Sequence, residues 1–267
     1  MLTGSASLID LHCHLLPGID DGATSVNESL EMARMAVADG ISVIVCTPHI
    51  LPGVYNNTGP AIRAAVAELQ DELHRADIPL TLVTGADVHL APHLVEGIRS
   101  GMIPTLAESR YFLLEPPQGV VPPRFESIVF DLVSAGYVPV VTHPERLGWP
   151  EREYALIERL LRQGCWMQLT GGSLLGRFGR RARALCLRML EDGLAHIIAS
   201  DAHDPDRRPP LLSAAFHAAA ELVGEDEAWH LVHTRQTGIM DNLNPEEQPQ
   251  PPVPRERLAR GGRVARS

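Results

Sequence analysis

The stretch Leu8-Ile-Asp10-Leu-His12-Cys-His14 is a short apolar run that ends on two imidazoles. Alternation along a strand turns His12 and His14 to the same side, so both can reach one ion at about 2.1 Å. The pattern recurs downstream. Residues 41–46, 80–83, 111–114, 138–141, 166–169 and 195–199 are likewise short and apolar on both alternating faces, as strands covered on both sides are. Helical periods lie between them. Val26, Leu30, Ala33 and Val37 form one stripe, and Ile62, Val66, Leu69 and Leu73 another. Ser25 with Glu28 reads as a capping box opening the first helix, and Gly40 as its stop. Seven strands alternating with helices in 267 residues predict one parallel α/β barrel over residues 1–243. An open doubly wound sheet has the same periodicity. Residues 244–267 carry five prolines and then an arginine-rich run without an apolar stripe, which reads as a disordered tail.

Composition narrows the chemistry. The net charge of −10 disfavours nucleic acid and anionic membrane as partners. All 23 basic residues are arginine, so a Walker A loop, a Schiff-base or PLP enzyme and a carbamylated-lysine metal bridge are excluded. Cys13, Cys46, Cys165 and Cys186 are too scattered for a disulfide scaffold or a CxxC zinc site. None is followed six residues later by the arginine of a cysteine-dependent phosphatase loop; those positions hold Ile19, Pro52, Gly171 and Asp192. Gly171-Gly-Ser173-Leu-Leu175 fails as a nucleophile elbow at its last position. No basic leader precedes Arg34, and no apolar run approaches the roughly 20 residues that span a bilayer. A cytoplasmic protein without membrane insertion is expected.

Six of the seven strands finish on a residue able to ligate a metal. These endings are Asp10-Leu-His12-Cys-His14, Thr47-Pro-His49, Gly85-Ala-Asp87-Val-His89, Glu115-Pro-Pro, Thr142-His143-Pro-Glu-Arg146 and Ser200-Asp201-Ala-His203. A (β/α) barrel assembles its active site from those strand ends, and packing alone has no reason to repeat the pattern. Asp20 and Asp21 before Gly22 read as a turn, Asp20 above all. His74, His89, His93, His217, His230 and His233 fall off the strand ends or on helices and read as ordinary histidines. So many candidate ligands exceed one ion, because a catalytic site takes three or four protein ligands per ion with one position open; two or three ions are implied. Imidazoles and carboxylates without thiolate suit manganese, zinc or iron. Arg146 and Arg208 supply forks that can clamp phosphate oxygens, which points to phosphoester hydrolysis.

In order and spacing these motifs resemble the polymerase-and-histidinol-phosphatase (PHP) family. Within it the chain is most similar to the manganese-dependent protein-tyrosine phosphatases of bacterial capsule and exopolysaccharide systems. Asp10-Leu-His12-Cys-His14 followed by Asp20-Asp21-Gly22, Cys46-Thr-Pro-His49, Leu114-Glu115, His143-Pro-Glu-Arg146, Gln168-Leu-Thr with Phe178-Gly179, and Ser200-Asp201-Ala-His203 with Arg208-Pro209 carry the resemblance. It implies a distorted (β/α)7 barrel with a trinuclear site and hydrolysis by metal-activated water, without a phosphoenzyme. His12, His14 and Asp201 would hold one ion, Glu115 and His143 a second with residue 87 bridging, and Asp21, His49 and His203 a third. Arg146 and Arg208 fall on the phosphate-binding arginines. The family has glutamate at the bridging position, where this chain has the shorter Asp87. The implied substrate is phosphotyrosine in a protein, the tyrosine-rich tail of a bacterial tyrosine kinase; homo-oligomers are compatible with it. The rival is a PHP phosphatase of a small phosphomonoester such as histidinol phosphate. A PHP nuclease fits the acidic charge poorly, and a non-catalytic regulator would require lost ligand positions.

Overall fold

A computed structural model describes residues 7–252. All seven expected runs are strands: β1 (Leu8–Cys13), β2 (Ile41–Cys46), β5 (Thr81–Thr84), β7 (Tyr111–Glu115), β8 (Val138–Thr142), β9 (Trp166–Thr170) and β10 (Ile197–Ala199). Two staves run on past a break. β2 resumes as β3 (His49–Leu51) after Thr47-Pro48, and β5 resumes as β6 (Asp87–His89) after Gly85-Ala86. Pro48 has no N–H to give a ladder, and a side chain on Gly85 would meet Val45 Cγ1 at 2.6 Å. β4 (Tyr55–Asn56) folds back on β3 as the antiparallel member.

The breaks divide the ladder into β1-β2-β5 and β10-β9-β8-β7-β6-β3-β4. Single hydrogen bonds join the pieces: Gly85 N donates to Cys46 O and Asp87 N to Pro48 O. At the other seam Asp201 N donates to His12 O and His14 N to Ala202 O, setting the continuation of β10 beside β1. The parallel staves follow one another in chain order with no reversal. That makes a distorted (β/α)7 barrel, not a doubly wound sheet with a switch point.

Alternation places the core in two layers. Ile9, Leu11, Tyr111, Leu113, Val138, Val140, Trp166 and Ile197 fill the barrel. Phe112, Leu114, Val141, Met167, Leu169 and Ile198 point outward under the helices. These helices are α1 (Val26–Ala38), α2 (Gly59–Arg75), α3 (Leu94–Arg99), α4 (Phe125–Ser134), α5 (Tyr154–Arg162), α6 (Gly171–Leu174), α7 (Gly179–Glu191), α8 (Ser213–Val223), α9 (Glu225–Trp229) and α10 (Arg235–Met240). None of the described helices is long and apolar enough to cross a membrane.

α2 buries the stripe expected of it. α1 is rotated: Ser29, Met32, Ala33 and Ala36 face inward while Val26 is exposed. Small Ala33 and Ala36 allow close approach, and Ser29 satisfies its hydroxyl on Leu15 O at 2.7 Å. Ser25 caps the helix by accepting from Glu28 N, but Glu28 reaches back to Thr24 N at 2.7 Å rather than to the cap itself.

Residues 244–252 of the expected disordered tail are placed against the barrel base. Gln248 is buried there and donates to Tyr111 Oη at 2.7 Å. Pro249 O accepts from Arg235 Nε at 2.7 Å. A short 3-10 turn (Pro245–Glu247), with proline at its start, leads into a strap whose carbonyls are taken up by neighbours. Residues 253–267 of the expected tail lie outside the described residues.

Candidate metal centre

The inward stripes that fill the barrel end in polar residues at its C-terminal rim. On β7 the inward series Tyr111, Leu113 continues to Glu115; on β9 Trp166 continues to Gln168 and Thr170. Bulges in β1 between Asp10 and Cys13 turn His12 and His14 into the same space. Two further ligand candidates, His143 (φ 34°) and Asp201 (φ 53°), sit in the left-handed region just past their strands. Such residues cost about 1–3 kcal/mol each and persist where the surroundings over-determine them. The turn at His143 lets Arg146 N donate to His143 O at 2.9 Å, which folds Arg146 back over the rim.

The nine expected ligands come together. His12 Nε2 lies 3.1 Å from His14 Nε2, 3.5 Å from Asp87 Oδ2 and 3.3 Å from Asp201 Oδ1. His49 Nδ1 lies 3.4 Å from both Asp87 Oδ2 and Glu115 Oε2, and His143 Nε2 3.7 Å from Glu115 Oε1. Asp21 Oδ1 stands 3.5 Å from the Nε2 atoms of His49 and His203. Four overlapping groups have donor atoms close enough to share an ion: His14-Asp21-His49-His203, His12-His14-Asp87, Asp87-Glu115-His143 and His49-His89-Glu115.

The last group corrects the reading of His89 as an ordinary histidine. Its Nε2 is 2.7 Å from Glu115 Oε2. Strand β6 aims Asp87 and His89 alike, on the same parity as Val83, which faces the barrel interior from β5. None of the other five histidines set aside as ordinary enters these groups. Asp20 does make the expected turn, accepting from Gly22 N at 2.9 Å. Its other oxygen also holds the site, accepting from His14 Nδ1 at 2.7 Å and His49 N at 3.0 Å. Gly22 makes room for this, since a Cβ there would lie 2.2 Å from His14 O. The motif Asp-Asp-Gly held that signal; a turn was a sufficient reading of it.

The donor set fits divalent ions. Asp87 is fully buried, yet neither carboxylate oxygen has a hydrogen-bond partner among the described residues, and His143 Nδ1 is likewise unpaired. Burial, then the neighbouring Glu115 charge, raises the Asp87 carboxyl well above its ordinary value. Burial also lowers His12, His49 and His143, the last two to about 4, leaving them neutral as ligands must be. His14 differs. Burial works to lower it, but Asp20 and Asp201 together push it up to about 10, so an arriving cation must displace a proton there. Asp20 on His14 Nδ1 and Gln168 on His12 Nδ1 at 2.9 Å leave both Nε2 lone pairs facing inward.

Arg146 and Arg208 both reach Asp201 Oδ2, Arg208 through Nη2 at 2.6 Å. Phe178 underlies them, with the guanidinium carbons 4.3 and 5.8 Å from its ring centre. Cationic forks, a buried carboxylate cluster and imidazoles thus share one mouth.

The family model described as capsular polysaccharide synthesis, CpsB/CapC, matches residues 8–241. The chain is 36% identical over 251 residues to the tyrosine-protein phosphatase YwqE of Bacillus subtilis, covering 94% of this chain and 98% of the relative. It is 35% identical over 210 residues to the putative tyrosine-protein phosphatase CapC of Staphylococcus aureus, covering 79% and 82%. The Streptococcus pneumoniae tyrosine-protein phosphatase CpsB is 27% identical over 242 residues, covering 88% and 100%. A solved structure described with YwqE and CpsB as unique metal-dependent tyrosine phosphatases superposes with a TM-score of 0.86 at 36% identity, over 93% of this chain and all of that one. Dihydropyrimidinase of Brevibacillus agri shares the fold alone, with a TM-score of 0.55 at 12% identity over 93% and 73% of the chains.

Proposed function

Because the chain belongs to the CpsB/CapC family of capsular polysaccharide synthesis, we propose that it is a metal-dependent protein-tyrosine phosphatase. The observation that carries this reading is the convergence of Arg146 and Arg208 on Asp201 at the edge of the buried ligand cluster. The curated relatives carry the same activity in their names. The proposed ligands are His12, His14, Asp21, His49, Asp87, Glu115, His143, Asp201 and His203, with His89 added by the contact to Glu115. Oxygen and imidazole donors without thiolate suit manganese, with two or three ions. When bound, such ions polarise phosphoryl oxygens and make water a stronger nucleophile at neutral pH.

The chain's own residues do the rest. Phe178 lies under both guanidinium groups, whose free N–H groups can donate to two phosphoryl oxygens in forked hydrogen bonds. Charge that develops on those oxygens is met by donors already in place. Asp20 and Gln168 keep the two imidazoles of β1 in the tautomer and rotation that present Nε2. Asp10 accepts from Ser200 N at 3.0 Å and from the Ser200 hydroxyl, which pins the start of the Asp201 turn. The substrate we infer is the tyrosine-rich tail of a tyrosine autokinase that governs polysaccharide export, met in the cytoplasm.

Phosphate release from a phosphotyrosine peptide and from histidinol phosphate, each with Mn2+ and with a chelator, tests this. Metal-dependent release from the peptide is expected. Release from the small ester alone would replace the substrate while keeping the chemistry. No release from either, with metal bound, would overturn the enzyme reading.

A further inference from the structure

Beside the ligand cluster, among the described residues, stands an aromatic ring for which the hydrolytic reading has no use. Tyr55 stacks on His49, with ring centroids 5.6 Å apart and an interplanar angle of 16°. Aromatic residues are scarce here, 4% of the chain. Most others named above are in the core or on the outer helices, and Phe178 already carries two guanidinium groups. Among the described residues no guanidinium lies over Tyr55 and no ring other than His49 stacks on it. The ring is half-buried at the rim.

Its placement is built. After the Pro48 break the chain extends as β3 and turns back, pairing Leu51 with Tyr55 and Ile50 with Asn56. Val54 N donates to Leu51 O at 3.0 Å and Gly53 N to Asn56 Oδ1 at 2.9 Å, closing the hairpin tip. Asn57 Nδ2 then donates to His49 O at 2.9 Å and Ile19 O at 3.0 Å. The hairpin is therefore tied to the backbone of the histidine that Tyr55 covers. A ring held this way presents a preformed flat wall, with little side-chain entropy left to lose.

We propose that Tyr55 forms the wall of an aryl subsite that favours phosphate esters of phenols over alkyl esters. This rests on the phosphatase reading above. His12, His14 and Asp87 are wholly inaccessible to solvent, so the phosphate must reach below the rim. Phosphoserine carries its phosphate on one methylene and would have to bring its backbone down to that depth. Phosphotyrosine carries it at the end of a rigid ring that spans the rim, with a face to lay against Tyr55. Aromatic pairs favour offset or tilted stacking of this kind.

The test compares kcat/KM for a phosphotyrosine peptide with that for propyl phosphate, in metal-loaded enzyme. In Tyr55→Ala the aryl-to-alkyl ratio should fall by about 10-fold, near the upper end of what one aromatic pair contributes. Tyr55→Phe should keep the wild-type ratio, because the wall is the ring and not the hydroxyl. Metal content in both variants should equal that of the wild type. An unchanged ratio in Tyr55→Ala overturns the subsite, as does loss of metal, which would make Tyr55 a support for His49. A wild type inactive on the phosphotyrosine peptide would instead overturn the phosphatase reading on which the subsite rests.

Discussion

At the base of the barrel, fully buried Arg235 donates to both carboxylate oxygens of Glu227, at 2.8 and 3.0 Å, to His196 O at 3.1 Å and to Pro249 O at 2.7 Å. At the rim, Asp87 is just as buried and neither of its oxygens has a hydrogen-bond partner among the described residues. The base is closed by a helix and a strap: Ile239 of α10 enters the barrel core, and Tyr111 Oη donates to Leu243 O at 2.9 Å. A buried charge with every nitrogen engaged holds structure together. A buried carboxyl left without hydrogen bonds costs folding free energy and is kept for something that arrives later. The contrast separates scaffold from site without reference to any relative.

Substitutions at the two ends should therefore fail differently. Asp87→Ala should cost metal content and reduce phosphate release by more than the ~10–100-fold typical of losing an outer partner of a ligand. It should not lower the unfolding midpoint of metal-free protein; a large drop there would place Asp87 with the scaffold. Arg235→Ala strands a partly buried Glu227 and should destabilise by about 3–5 kcal/mol in denaturant unfolding. Its kcat at a temperature where it remains folded should stay near wild type. Arg146→Ala should retain metal while kcat falls on the order of 10²-fold, as when one transition-state donor is removed; full activity would end its assigned role.

The smallest effect concerns pH. Burial, then the nearby Arg235 charge, brings His196 at the base down to about 3. The folded protein holds it neutral, so below the ordinary value of 6.5 the unfolded chain takes up a proton that the folded one refuses. Stability from this residue is complete above 6.5 and is lost as pH falls. Between pH 7 and pH 5 the wild type should lose about 2 kcal/mol relative to His196→Phe. Parallel stability curves for the two proteins would refute this.

Much of the barrel and of its mouth can be read from residues alone, because both rest on local regularities. Each apolar run that became a strand is flanked by turn residues, and Glu115 and Gln168 simply extend an inward alternation. What escaped has several causes. His89 lies beyond the end of the apolar run, although it keeps the inward parity of Val83. Asp20 serves a turn and two histidines at once, and the nearer role hid the other. The stripe on α1 predicted by apolar spacing ignored that alanine and a satisfied serine can face a sheet more closely than valine. Gln248 and Pro249 look like tail until the groups that receive them, Tyr111 and Arg235, are known to lie at the barrel floor.

The seam between β10 and β1 bears on how the molecule comes into being. Ser200 N reaches Asp10 Oδ1 across 190 positions, and Asp201 N pairs with His12 O at the same junction. During synthesis, which proceeds from the N-terminus, a growing chain would display every proposed ligand except Asp201 and His203 before β9 has emerged. Those two come only with the final stave, and so does Arg208. Completion of the proposed site is thus tied to emergence of the final stave and the loop after it. A nascent or truncated chain would hold most of the ligands while lacking the residues that finish the mouth.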